Sequence, residues 1–121
     1  DDAGWHALCN LVQQPSASDG FQACFVFVDD RNLEQTSIET LAREAAADLR
    51  CAVIFIADAE ANGGEDHTVL CVSCSDTPAA SFRVIPAEIW GPENNLRLSN
   101  MDFAEFARNT GPDGVFRGFP A

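Results

Sequence analysis

Three aspartates are the groups best placed for chemistry. Asp29 and Asp30 close the apolar run Phe21–Val28 (FQACFVFV), and Asp58 closes a second run, Cys51–Ala57 (CAVIFIA). Nearly continuous apolar runs of this length read as strands covered on both faces. If the two strands are parallel, all three carboxylates reach C-terminal strand ends, the edge of an open α/β sheet where ligands bind. Clustered carboxylates there suit Mg²⁺, a hard cation that takes oxygen ligands. Aspartate also ends strands and caps loops with no further role. Asp29, Asp30 and Asp58 are therefore candidate ligands, with no metal or cofactor assigned.

A second group, Trp90, Glu93, Asn94 and Asn95, lies in the segment WGPENN. Asparagines tolerate left-handed backbone and close local turns, so the segment reads as a shaped connection between Ile85 and Asp102. A tryptophan beside polar loop residues is also a typical binding anchor, which makes these four candidate binding residues.

Familiar catalytic constellations are not assembled. Cys71 and Cys74 form a C-x-x-C, but residues three apart on a strand point to opposite faces about 10 Å apart. That is beyond disulfide reach, and no second ligand pair completes a zinc site. His67 and Cys71 share strand parity yet would be separated by about 13 Å on an extended chain. The chain has two histidines, His6 and His67, and no serine sits in a G-x-S-x-G elbow. The spacing assigns no catalytic residue.

Charge is the strongest global signal. The chain carries 19 Asp and Glu against 7 basic residues, a formal net charge of -12, and every basic residue is arginine. Without lysine there is no Schiff-base chemistry and no P-loop lysine. A field of this sign repels nucleic acid phosphates and anionic membranes and steers basic partners inward. Acidity of this size also serves plain solubility. Five cysteines cannot all pair within one chain, and they sit in core patterns, which fits a reducing, cytoplasmic setting. The chain opens on Asp1-Asp2 with no basic and apolar leader visible. No apolar run approaches the ~20 residues of a membrane helix.

The elements that must hold these groups are legible in outline. At 121 residues the size suits one domain, residues 1–121. Trp5, Leu8, Cys9 and Val12 share one face of a helix over about residues 3–13, with Asp2 as its cap. Thr36 and Glu39 have capping-box spacing before a helix whose stripe is Ile38, Leu41, Ala42, Ala45 and Leu49. Strand, helix, strand in this order predicts a right-handed βαβ unit. The Asn62-Gly63-Gly64 link is too short for a crossover, so Val69–Cys74 returns antiparallel and Phe82–Ile85 reverses again. Asp102 and Glu105 cap a last helix containing Phe103, Phe106 and Ala107, stopped by Gly111-Pro112. The predicted fold is α/β: a mixed sheet of about four strands with a βαβ unit and helices on both faces.

The segments FRVIPAEIWGPENNLRLSNMDFAEFA and DGVFRGF, with DDAGWHALCNLV and FVFVDDRNLEQTS, resemble an uncharacterised family of small acidic bacterial proteins, a domain of unknown function. The resemblance covers nearly the whole chain and implies a bacterial, cytoplasmic, single-domain protein. It brings no catalytic residue. The VDD triplet also resembles the acidic pocket of receiver domains, but no later strand ends near a lysine.

The function expected from the residues is a non-enzymatic, acidic protein-binding domain, in its sharpest form an immunity-type inhibitor of a basic toxin or nuclease. The alternative is a metal-dependent enzyme or small-ligand protein working at Asp29, Asp30 and Asp58. A DNA mimic is a third reading and needs carboxylates at phosphate-like spacing on one surface. The partner implied is a basic protein, not nucleic acid or membrane.

Overall fold

The computed structural model describes residues 2–13, 36–49, 53–58, 61, 66–74, 79–97 and 101–119. The apolar run Phe21–Val28, with Asp29 and Asp30, lies outside the described residues. The expected βαβ unit depends on that run and lies outside them too.

Helix α1 spans Asp2–Val12, so Asp2 is its first residue and not a flanking cap. Leu8 and Val12 are buried, while Trp5 and Cys9 are half-buried, as the apolar spacing requires. Helix α2 spans Ile38–Glu44 and continues into a π-helical turn, Ala45–Leu49. Its cap is Ser37, not Thr36: Ser37 Oγ accepts the Thr40 N–H at 3.2 Å and donates to Thr40 Oγ1 at 2.9 Å. Ser37 has the extended backbone a cap needs. Glu39 is thereby released from capping and accepts the Ala79 N–H at 2.9 Å, tying α2 to the turn before β3.

The sheet has four strands in the order β1-β2-β3-β4. They are β1 (Val53–Ile56), β2 (Val69–Ser73), β3 (Ser81–Val84) and β4 (Val115–Phe116). The two antiparallel reversals expected from the short links are present: Ile56 faces Leu70, and Leu70 faces Arg83. Strand β4 is not among the strands that the sequence predicts. It joins β3 in parallel, with Arg83 facing Val115 and Val84 facing Phe116. Two residues between Gly114 and Arg117 are too short to show strand periodicity, so only pairing reveals it. Strand β1 is half-buried along its length instead of doubly buried.

One side of the sheet carries the core. Phe55, Val69, Cys71, Phe82, Val84 and Phe116 pack with Leu8 and Val12 of α1 and with the C-terminal helices. Those helices are α3 (Trp90–Arg97) and α4 (Phe103–Ala107), and a 3₁₀ turn at Pro86–Glu88 leads into α3. The capping box that starts α4 is present, with Glu105 Oε1 accepting the Asp102 N–H at 3.4 Å. Helix α4 stops well before Gly111: Asn109 and Thr110 side chains bond the carbonyls of Glu105 and Ala107 and close its last turn. Phe106 packs edge-on to Phe116 with ring centroids 5.3 Å apart, and Phe82 lies 5.0 Å from Phe103. Phe106 and Phe116 are fully buried, and each burial of this kind stabilises by about 1.5–3 kcal/mol. No helix among the described residues is long and apolar enough to cross a membrane.

Candidate functional site

Strands β1 and β3 run the same way with β2 reversed between them, and β4 follows β3. The C-terminal ends of β1, β3 and β4 therefore share one edge. Asp58 lies two residues past Ile56, Thr68 just precedes β2, and Arg117 just follows β4. The register puts Ile56, Leu70 and Arg83 in one row across the sheet. Side chains alternate along a strand, so Asp58, Thr68 and Arg83 point to the face opposite Phe82.

Arg83 crosses β2 diagonally to reach Asp58. Its Nη1 donates to Asp58 Oδ1 at 3.3 Å and its Nη2 donates to Oδ2, a two-point fork. Nη1 also donates to the Thr68 carbonyl at 2.9 Å and to Thr68 Oγ1 at 3.3 Å. The pair is half-buried, with the Arg83 side chain 24% and the Asp58 side chain 37% exposed. Asp58 Oδ1 accepts the Ala61 N–H at 3.3 Å, and Ala61 is wholly buried. The Ala61 carbonyl in turn meets His67 Nδ1 at 3.0 Å. A carbonyl only accepts, so this ring nitrogen carries the proton. His67 holds a left-handed backbone, φ 52°, and is not part of an extended strand leading to Cys71.

A second, more exposed set adjoins it. Arg117 forks onto Asp113, Nη1 to Oδ1 at 3.2 Å and Nη2 to Oδ2 at 2.9 Å. It also lies 3.5 Å from Asp66, the residue before His67. The Arg117 hydrogen bond, ahead of the other causes, holds the Asp113 carboxyl below its usual range, and Asp113 raises Arg117 in return. The side chains of Arg117, Asp113 and Asp66 are 46%, 52% and 57% exposed. Solvent screens exposed pairs of this kind, so they contribute little to stability.

Asp58 is thus the counter-ion of Arg83. Its proposed companions Asp29 and Asp30 lie outside the described residues. Among the described residues no three His, Cys, Asp or Glu side chains converge closely enough to hold a metal ion. The sequence offers one pointer to Arg83, a lone charge inside the apolar run FRVI, but its partner follows only from the register.

The Trp90–Asn95 segment is helix, not a shaped connection. Pro92 is tolerated in the first turn because no intrahelical N–H is required there. Asn94 Nδ2 donates to the Trp90 carbonyl at 2.8 Å and Asn95 Nδ2 to the Gly91 carbonyl at 2.9 Å. The asparagines bond back along the helix and do not close a turn. Glu93 is turned inward at 5% exposure, in the first turn where the helix dipole favours a negative charge. Trp90 is half-buried against the core. The four residues therefore occupy one helix but do not form one exposed patch.

Cys71 is a free thiol. Cys71 is buried in β2 and Cys74 is half-buried just past it. Burial, then the neighbouring Cys74, pushes the Cys71 thiol far up, which leaves it unreactive.

A family model described as a domain of unknown function (DUF6924) matches residues 1–119. No curated protein and no solved structure matches the chain.

Proposed function

We propose a function for a chain that belongs to the DUF6924 family: it is a non-enzymatic, acidic domain that binds a basic protein. The observation that supports it is the net charge of -12 together with how the arginines at the sheet edge are used. Arg83 and Arg117 are both engaged by carboxylates of the same chain. Their positive charge is answered internally, so the acidic excess dominates the field that an approaching partner meets. In its sharpest form the partner is a basic toxin or nuclease and this chain is its immunity-type inhibitor. Oppositely charged partners of that kind associate quickly through electrostatic steering.

The alternative, metal or small-ligand chemistry at Asp29, Asp30 and Asp58, gains no support from Asp58, whose carboxylate is already forked by Arg83. For the whole chain we propose the βαβ arrangement with helices on both faces. The apolar run Phe21–Val28, the α2 stripe and β1 support it. A bacterial cytoplasm is the proposed setting; the free, buried thiol of Cys71 supports a reducing compartment.

The test is affinity capture of partners from the host, followed by association kinetics at rising salt. The expected result is a basic protein whose on-rate falls by more than ~10-fold between low and high ionic strength. Capture of no partner, or of one whose on-rate ignores salt, overturns the proposal.

A further inference from the structure

We draw no further inference here: the strongest candidate, the carboxylate cluster of Asp58, Asp66 and Asp113 interleaved with Arg83 and Arg117 at the edge where β1, β3 and β4 end, belongs to the site already described and has no second observation pointing to a ligand.

Discussion

Replacing Arg83 with methionine is the sharpest test of the site. Methionine keeps much of the aliphatic stem that crosses β2 but removes all four hydrogen bonds of the guanidinium. Two of these end on Thr68, which is only 6% exposed, so its carbonyl and hydroxyl lose a donor where water has little access. Leaving buried acceptors unsatisfied costs about 1–3 kcal/mol. The other two end on Asp58, whose 37% exposed side chain regains hydration once the arginine is gone. That part of the loss is smaller, about 1 kcal/mol, as for partly exposed ion pairs. The expected destabilisation is therefore about 2–4 kcal/mol. Asp58→Asn keeps an acceptor for the Ala61 N–H and loses the charge, so it costs about 1 kcal/mol. The double variant should be less damaging than the sum, with a coupling of about 1 kcal/mol. Urea unfolding followed through Trp5 and Trp90 fluorescence measures all three. An Arg83→Met variant within ~0.5 kcal/mol of the parent, or a coupling of zero, would refute the clamp.

Three other outcomes follow from single positions. Gly118 holds φ 102°, and a Cβ there would lie 2.9 Å from Glu88 Oε1; Gly118→Ala should lower the thermal midpoint, with a cost of about 1–3 kcal/mol. Removing the glutamate side chain should restore only part of this, because the backbone conformation itself disfavours a Cβ. Asp113 has its folded pKa lowered by Arg117. Its stabilisation is thus present above the unfolded carboxyl range near ~4 and fades as pH falls through the lower folded value. Asp113→Asn should flatten that part of the acid limb in pH-dependent unfolding; an unchanged limb would contradict the fork. Cys71 should resist an alkylating thiol reagent in the native protein and react only on unfolding, whereas the half-buried Cys9 and Cys74 react sooner; mass spectrometry after timed quenching reads the order.

Local chemistry alone made several elements legible. The repeat Trp5, Leu8, Cys9, Val12 set α1, because burial of one helix face leaves no other use for that spacing. The short links after β1 and β2 allowed only reversals, and the Asp102/Glu105 pair marked the start of α4. Each signal comes from residues within one turn or one link of each other. The segment WGPENN misleads for the same reason. Asparagine and proline weigh toward a turn locally, yet Pro92 needs no donor in a first turn and the core holds Gly91, Pro92 and Glu93 against it. Ser37 and Thr36 are adjacent and both competent caps, and backbone geometry chose between them.

Non-local pairing decided the rest. Val115–Phe116 becomes a strand only because β3 offers a parallel edge. The lone arginine in FRVI announces a buried charge, but nothing near it in sequence names Asp58, 25 residues away. Register brings them onto one face, and the reach of a guanidinium across a single strand completes the pair. Composition fixes this protein's sign of charge, and the spacing of apolar residues fixes its helix faces. Which carboxylates remain open to a partner and which are already answered by Arg83 and Arg117 is set by the fold, because electrostatic pairing depends on distance in space and not along the chain.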